Sequence, residues 1–267
     1  MTNAQFKKIV WEYYHKHGRD LPWRRTTVPY KILVSEIMLQ QTQAPRVVPK
    51  YKAFLKAFPT MRALANASAR EVLADWSGLG YNRRALNLHR LAKYVTEELN
   101  GKLPRTHAEL VALPGIGPYT AGAIMAFAYN LPHPILETNV RTVYLHLFFT
   151  NRTEVSDALL LEKVTETLDI ENPKEWYWAL MDYGSHLKAT IGNVARRSKT
   201  YTKQSPFKNS DRAIRGAILK SLLAKPSQTT ASLIKEIGST KDRTSQQLQN
   251  LKQEGFITNN KTKWSLQ

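Results

Sequence analysis

Leu113-Pro-Gly-Ile-Gly-Pro-Tyr-Thr-Ala-Gly-Ala-Ile124, followed by Pro134-Ile-Leu-Glu-Thr-Asn-Val-Arg141, is the segment on which our fold prediction rests. Gly115 and Gly117 flank one apolar residue, and a small-residue helical pattern begins directly after them. Such a turn presents free N–H groups at the positive end of a helix dipole, where a phosphate can bind. The carboxylate of Glu137 follows that helix. The alternative is an ordinary Gly-x-Gly connection that binds no phosphate.

The composition indicates a globular and strongly basic protein. The chain has 267 residues, 42% of them hydrophobic and 10% aromatic, which is enough for two domains with cores of their own. The formal charge is +18, and residues 186–267 carry 16 Lys and Arg against 4 Asp and Glu. This charge favours a polyanionic partner. The sequence has no long apolar span of the kind that would indicate a membrane protein.

The absence of cysteine limits the cofactors. It excludes disulfides, thiolate zinc sites and cysteine-bound iron–sulfur clusters, and we expect no metal and no cofactor. The first residues, 1–8, lack the apolar core of a signal peptide, so we expect a cytoplasmic protein.

Apolar residues at helical spacing dominate the first 185 residues, which predicts an all-helical domain. The predicted helices lie near 3–17, 29–43, 46–58, 68–76, 83–100, 106–112, 139–149, 156–168 and 173–184. Glu36 lies within an apolar part of the second helix, where a charge is costly unless it is paired or protonated. A buried arginine partner is the structural alternative to a chemical role for Glu36.

A second Gly-x-Gly turn, Gly78-Leu-Gly-Tyr-Asn-Arg-Arg84, has an aromatic residue at its tip and two arginines behind it. Such a tip can wedge into a base stack while Arg83 and Arg84 hold phosphates. The alternative is an ordinary helix connection with Tyr81 packed inward.

Residues 6–185 resemble the adenine DNA glycosylases, which remove adenine from mismatches with oxidised guanine. The matching segments are 21–24, 29–31, 34–43, 78–81, 87–89, 113–117, 120–123 and 134–140. The sharpest are Glu36-Ile-Met-Leu-Gln-Gln-Thr-Gln43 and the Gly-Leu-Gly-Tyr turn. The resemblance implies a mainly α, helix-hairpin-helix DNA glycosylase fold of two helical lobes with a cleft between them. It also implies double-stranded DNA as the partner and base excision repair as the process.

The resemblance further implies roles for single residues. Glu36 matches the general acid that protonates the flipped purine, and burial should raise its pKa enough to hold a proton at neutral pH. Asn139 matches a polar residue beside the sugar. Gln41 and Tyr81 match residues that probe the DNA stack, and Arg24 lies in the strip that lines the base pocket.

Tyr119 stands where related enzymes that also nick DNA carry a catalytic lysine, which forms a Schiff base with the sugar. A tyrosine cannot form that bond. We therefore predict a monofunctional glycosylase, a hydrolase of N-glycosyl bonds without lysine-dependent lyase activity, in which Tyr119 and Asn139 orient the sugar and water.

Glu137 is the first departure from the family, which carries an aspartate there. Either acid can stabilise the positive charge that develops on the sugar. The extra methylene moves the carboxylate by roughly 1 Å, and such a misplacement can cost about 10²-fold in rate. The alternative is that Glu137 caps a helix and has no catalytic role.

The second departure is the segment 186–203, where the family usually carries four cysteines that bind an iron–sulfur cluster. This segment has none and instead contains five cations, among them Arg196 and Arg197, for which we predict contacts with the DNA backbone. A solvated basic loop is the alternative.

The third departure is the C-terminal segment (211–267), which is too short and too helical for the family's β-rich domain. It predicts three helices and a hairpin turning at Asn259-Asn260, hence a small winged-helix-like α+β domain. Its third helix, near 243–254, could enter a DNA groove, or the domain could serve in packing alone. We place the glycosylase domain at 1–202 and a linker at 203–210.

The leading hypothesis is a monomeric glycosylase that excises adenine paired with 8-oxoguanine or guanine. One alternative is a glycosylase for another base, whether damaged, deaminated or a pyrimidine. The other is a non-catalytic lesion sensor, which the change at Glu137 motivates and which would bind duplex DNA tightly without releasing a base.

Overall fold

The computed structural model describes residues 1–203, 206–207 and 209–267. Within these ranges the chain is mainly helical, with a small sheet near its C-terminus, as the sequence predicts. The helices are α1 (Asn3–His17), α2 (Pro29–Leu39), α3 (Ala44–Ala57), α4 (Met61–Asn66), α5 (Ala69–Trp76), α6 (Arg83–Glu98), α7 (His107–Ala112), α8 (Pro118–Tyr129), α9 (Thr138–Leu147), α10 (Asp157–Thr167), α11 (Pro173–Thr190), α12 (Asp211–Ala224), α13 (Thr230–Ile237) and α14 (Lys241–Gln253). The strands are β1 (Gln228–Thr229), β2 (Ile257–Asn260) and β3 (Lys263–Leu266), and two 3-10 turns cover Pro22–Arg25 and Val194–Arg197.

Every helix predicted from apolar spacing is present, but several of these helices begin or end at other residues than predicted. Helix α2 ends at Leu39 rather than near 43, because Gln41 adopts a left-handed backbone with φ 54°. Helix α11 continues to Thr190. The short helix α4 was not predicted, and the side chain of Thr60 caps it by accepting from the N–H of Ala63.

The described chain divides into two compact units. The first unit contains residues 1–36 and 103–203, and the second contains residues 37–102 and 204–267. The division into a domain at 1–202, a linker at 203–210 and a domain at 211–267 stays a prediction. Gln204, Ser205 and Lys208 of that linker lie outside the described residues.

Helix α11 is at the centre of the first unit, where it packs against α1 and α9. Phe6 of α1 lies 5.0 Å from the ring of Tyr144 in α9 and 5.8 Å from that of Trp176 in α11, measured between ring centroids. All three side chains are fully buried. This aromatic contact fixes α9 and α11 side by side, and both helices carry residues of the candidate site.

The second unit combines helices α3–α6 with the C-terminal segment, in which α12–α14 precede the hairpin β2–β3 in the order of a winged helix. The three strands are antiparallel in the order β1-β3-β2. The predicted hairpin turn at Asn259-Asn260 is wrong. Asn259 and Asn260 pair with Trp264 and Lys263 inside the sheet, and the chain turns at Lys261, whose φ is 56°.

The side chain of Trp264 explains this register. It is buried, and its indole N–H donates to the hydroxyl of Thr230 at 2.9 Å. A shift by one residue would turn it to the solvent face. Among the described residues, no helix is both long enough and apolar enough to span a bilayer.

Candidate active site

Glu36 is a buried carboxyl group in the middle of α2, with 4% of its surface exposed. Its Oε2 accepts a hydrogen bond of 2.9 Å from the hydroxyl of Tyr119. Burial raises the pKa of Glu36 to about 7, while the Tyr119 hydrogen bond lowers it and the charge of Glu137 raises it. The partner of Glu36 is thus a tyrosine and not the arginine of the structural alternative. Near neutral pH this carboxyl group exchanges between its acid and carboxylate forms.

Tyr119 lies in the first turn of α8, one residue after Pro118. The Gly-x-Gly turn, which ends where this helix starts, therefore determines the position of Tyr119. Its pKa is raised well above the ordinary value by burial and by the charges of Glu36 and Glu137. The hydroxyl group therefore keeps its proton and acts as a donor to Glu36.

Glu137 caps the N-terminus of α9. Its Oε1 accepts from the backbone N–H of Asn139 at 2.7 Å and of Val140 at 2.8 Å, and Oε2 accepts from Nδ2 of Asn139 at 3.3 Å. Burial raises the pKa of Glu137, and these hydrogen bonds lower it only in part. Glu137 thus caps a helix, as the alternative interpretation of this residue requires. The same hydrogen bonds also hold its carboxylate in one position. A catalytic role for Glu137 and Asn139 stays a prediction.

Gly184 in α11 determines how closely that helix approaches Asn139. A Cβ built on Gly184 would lie 2.2 Å from the backbone oxygen and 2.8 Å from the Cβ of Asn139. Only glycine permits this contact, because real Cβ atoms essentially never come that close. Gly184 was not among the predicted site residues, although it follows an aromatic helical run that would mark a packed helix.

Asp182 was also missed, and it holds the predicted pocket residue Arg24. The Arg24 guanidinium donates to both carboxylate oxygens of Asp182, at 2.8 and 2.7 Å, and Arg19 adds a third side-chain bond at 2.6 Å. Burial raises the pKa of Asp182, but the two arginines outweigh it and hold the pKa below its ordinary value. The charge of Arg19 also lowers the pKa of Glu137. The bidentate pair fixes the Arg24 guanidinium, which lies 5.3 Å from the ring of Trp178.

The predicted hairpin consists of α7, the turn Leu113–Gly117 and α8. Gly115 has a φ of 81°, Gly117 is the N-cap of α8, and both are exposed while Ile116 between them is buried. The buried isoleucine anchors the turn and leaves the backbone of both glycines accessible. Binding of the DNA backbone by Gly115 and Gly117 stays a prediction.

Arg196 and Arg197 have different environments although they are neighbours in one 3-10 turn. The Arg196 side chain is exposed. The Arg197 guanidinium donates to the backbone oxygens of Leu145 at 2.7 Å and Phe149 at 3.1 Å, and also to that of Thr150. Arg197 therefore caps the end of α9, whereas Arg196 is available to solvent. With no cysteine in the chain, this segment does not fit an iron–sulfur cluster.

The remaining predicted residues lie in the second unit. Gln41 is exposed, and Tyr81 is half-buried at the tip of its turn with a φ of 48°. Arg84 donates to the backbone oxygens at positions 37, 38 and 40, at 2.8, 2.8 and 2.5 Å, and Arg83 pairs with Glu254 at 2.7 Å. Phosphate binding by these two arginines stays a prediction, and their protein contacts do not favour it. The structure thus groups the four predicted catalytic residues in the first unit and the four predicted DNA-contacting residues of the 41–84 region in the second.

The chain is similar to known DNA repair proteins. Residues 34–166 match the family described as HhH-GPD superfamily base excision DNA repair protein. The chain is 35% identical over 242 residues to the adenine DNA glycosylase of Mycolicibacterium smegmatis, a match that covers 82% of this chain and 80% of that protein. It is 36% identical over 215 residues to the adenine DNA glycosylase of Buchnera aphidicola subsp. Baizongia pistaciae, covering 78% of this chain. The chain spans 61% of the length of that second relative.

The fold is also similar to a solved structure. A thermostable thymine-DNA glycosylase superposes with a TM-score of 0.64 at 26% identity, over 74% of this chain and 90% of that one. The chain therefore belongs to the adenine DNA glycosylases of the HhH-GPD superfamily.

Proposed function

We propose that the protein is a monofunctional DNA glycosylase, which hydrolyses the bond between deoxyribose and an adenine flipped out of duplex DNA, opposite 8-oxoguanine or guanine. The observation that carries the proposal is the buried Glu36 with a pKa of about 7, hydrogen-bonded to Tyr119. Such a group can give up a proton at neutral pH, which a solvent-exposed glutamate seldom holds. The choice of adenine rests on the similarity of the chain to adenine DNA glycosylases, among them those of Mycolicibacterium smegmatis and Buchnera aphidicola.

In the proposed mechanism, protonated Glu36 transfers its proton to a ring nitrogen of the flipped adenine. The electrons of the bond between C1′ and the base then leave with the base, and positive charge develops on the sugar. A water molecule adds to C1′ and returns one proton to the Glu36 carboxylate. Tyr119 holds Oε2 of Glu36 and thereby directs the transferable proton to Oε1, while Asn139 orients the sugar and water.

Glu137 supplies the negative charge that stabilises the sugar cation. Its two hydrogen bonds from the start of α9 hold the carboxylate before the substrate arrives, so no reorganisation is needed as charge develops. The capping bonds also set the position of the longer side chain. Glutamate can therefore take the place of aspartate here.

We assign no lysine-dependent lyase activity to the protein, because Tyr119 takes the position of the Schiff-base lysine. Sodium borohydride traps a Schiff base between an enzyme and DNA as a covalent adduct. We expect no adduct with substrate duplex at enzyme concentrations that release the base completely. An adduct that maps to any lysine of this chain would contradict the assignment.

Duplex DNA is the proposed partner. The charge of +18 supplies long-range attraction, and the exposed Gly115 and Gly117 precede a helix N-terminus that suits a phosphate. We expect the protein to bind as a monomer. Sedimentation of the protein with one equivalent of duplex checks the stoichiometry, and a complex with two copies per duplex would contradict it.

A panel of duplexes tests the function. Each duplex contains one pair, A:8-oxoG, A:G, A:T, T:G or U:G, and alkali converts any abasic site to a strand break. We expect breaks at adenine in the first two duplexes, none in A:T, and none with a Glu36→Gln variant. Breaks only in T:G would identify the pyrimidine alternative, which the similarity to a thymine-DNA glycosylase favours. Tight binding to the duplexes without breaks would identify the lesion sensor.

A further inference from the structure

The C-terminal segment packs directly on the helices α5 and α6 of the same unit. Arg70 of α5 donates to the backbone oxygen of Leu223 at 2.6 Å. Glu254, at the end of α14, pairs with Arg83 of α6 at 2.7 Å and with Arg215 of α12 at 2.5 Å. The side chains of Arg215 and Glu254 are each 21% exposed, so this ion pair is largely shielded from solvent, whereas the Arg83 side chain is mostly exposed. These contacts hold α12 next to the turn that carries Tyr81.

Arg212, in the first turn of α12, contacts Tyr81 in two ways. Its Nη1 donates to the Tyr81 hydroxyl at 2.5 Å, and its guanidinium carbon lies 5.5 Å from the ring centroid. A second guanidinium, that of Arg84, lies 5.4 Å from the same centroid. Arg84 is itself anchored to the backbone oxygens at the end of α2. The tyrosine ring is therefore held by one arginine of its own turn and by one from the C-terminal segment.

The backbone conformation of the turn at 78–81 explains why these contacts are needed. Tyr81 has a φ of 48°, a left-handed conformation that is unfavourable for a bulky residue unless its surroundings stabilise it. Gly78 and Gly80 have φ values of 93° and 74°. Because glycine lacks a Cβ that would restrict its backbone, these two residues do not make the turn rigid. A side chain that must enter a base stack acts best when it is held in advance, because less conformational entropy is then lost on binding.

We propose that Arg212 is a positioning residue that holds Tyr81 in the conformation in which its ring enters the DNA stack. The C-terminal segment then assists base flipping through a protein contact, whether or not α14 itself binds a groove. This inference rests on the proposed glycosylase function only in its DNA step. The contact between Arg212 and Tyr81 can be tested in the protein alone.

The first experiment detects the contact without DNA. The full chain is labelled with 3-fluorotyrosine, and the ¹⁹F resonance of Tyr81 is assigned by its loss in Tyr81→Phe. We expect Arg212→Ala to shift this resonance, and Arg212→Lys, which keeps the charge but not the planar group, to shift it less. Lys220→Ala removes an exposed cation from the same helix and is the matched control. An unchanged Tyr81 resonance in Arg212→Ala would overturn the proposal.

The second experiment measures single-turnover excision from two substrates. One is the A:8-oxoG duplex, and the other has the same adenine as an unpaired bulge that is already partly unstacked. We expect Arg212→Ala to slow excision about tenfold in the duplex, as loss of a hydrogen bond to a charged group would, and much less in the bulge. Tyr81→Phe should slow the duplex reaction similarly, and the double variant no further. Equal losses on both substrates would indicate a merely structural role and overturn the proposal.

A fluorescent base separates this inference from the proposed function. If the wild-type protein excises no base, the proposed function fails, and 2-aminopurine next to the mismatch still reports unstacking by Tyr81. We then expect wild-type protein to raise the fluorescence and Arg212→Ala to raise it clearly less. Equal fluorescence with both proteins would overturn the positioning role.

Discussion

Gly184 of α11 lies so close to Asn139 of α9 that a Cβ at position 184 would be 2.2 Å from the Asn139 backbone oxygen. The two nearest obstructing atoms belong to the backbone, which cannot rotate away as a side-chain end would. The first turn of α9 also carries the cap residue Glu137. One glycine on a neighbouring helix thus sets the position of two predicted catalytic residues.

Gly184→Ala should therefore lower both stability and activity. We expect a loss of about 1–3 kcal/mol in the free energy of unfolding, typical of forced overpacking, and slower excision as α9 moves. The matched control is Gly216→Ala in α12, where a Cβ would meet nothing within 4 Å and alanine favours the helix. Urea unfolding measures the first quantity and single-turnover kinetics the second. Equal stability of the two variants would refute the close contact.

The excision rate should depend on the protonation of Glu36. Its pKa of about 7 means that the acid form is present below this pH and is lost as pH rises through it. We expect the single-turnover rate to fall about tenfold per pH unit above 7, because the reaction needs the acid form. Glu36→Gln should have no measurable activity at any pH. A rate that stays constant from pH 6 to pH 9 would show that Glu36 is not the acid.

Tyr119→Phe should move that pH profile. The hydrogen bond from the Tyr119 hydroxyl stabilises the carboxylate form and so lowers the pKa of Glu36. Removing the hydroxyl takes this stabilisation away, and the descending limb of the profile should shift to higher pH. The measurement is the single-turnover rate between pH 5 and pH 10. A shift to lower pH would contradict the assigned direction of the hydrogen bond.

Glu137→Gln should separate helix capping from electrostatic stabilisation. The amide oxygen of glutamine can still accept from the N–H groups of Asn139 and Val140, so the free energy of unfolding should change by less than about 1 kcal/mol. The negative charge is lost, and excision should slow about 10²- to 10³-fold. Glu137→Ala, which removes both functions, is the comparison. If Glu137→Gln excises adenine at the wild-type rate, Glu137 serves only as a cap.

Arg196→Ala and Arg197→Ala should affect different properties, although the residues are adjacent. Arg197 satisfies backbone oxygens at the end of α9, so its loss should destabilise the protein by about 1–3 kcal/mol. Arg196 is exposed, and its loss should leave stability unchanged but lower the salt dependence of duplex binding by about one phosphate contact. Thermal unfolding and DNA titrations at several salt concentrations measure the two effects. A salt dependence that both variants leave unchanged would exclude this turn from the DNA interface.

Several features of the site were predictable because they depend on neighbours in the sequence. The apolar run around Glu36 predicts a buried carboxyl group, and the Gly-x-Gly stretch predicts a turn directly before a helix, whose first turn contains Tyr119. Arg84 shows where such reasoning is insufficient. Two arginines that follow a turn suggest phosphate binding. In the structure, however, the Arg84 guanidinium donates to backbone oxygens at the end of α2, which the helix itself leaves without a partner. Trp264 is similar, since its burial and not the Asn-Asn pair sets the hairpin register.

Local pattern and composition were sufficient to predict the helical class, the helical hairpin of α7 and α8, the buried acid and the absence of cysteine ligands. Which side chains contact one another depends on the packing of the helices. Tyr119 contacts Glu36 across 83 positions, and Arg24 contacts Asp182 across 158. Whether an arginine binds DNA, a backbone oxygen or a tyrosine ring depends on which groups packing brings within hydrogen-bonding distance. Neither periodicity nor spacing along the chain contains that information.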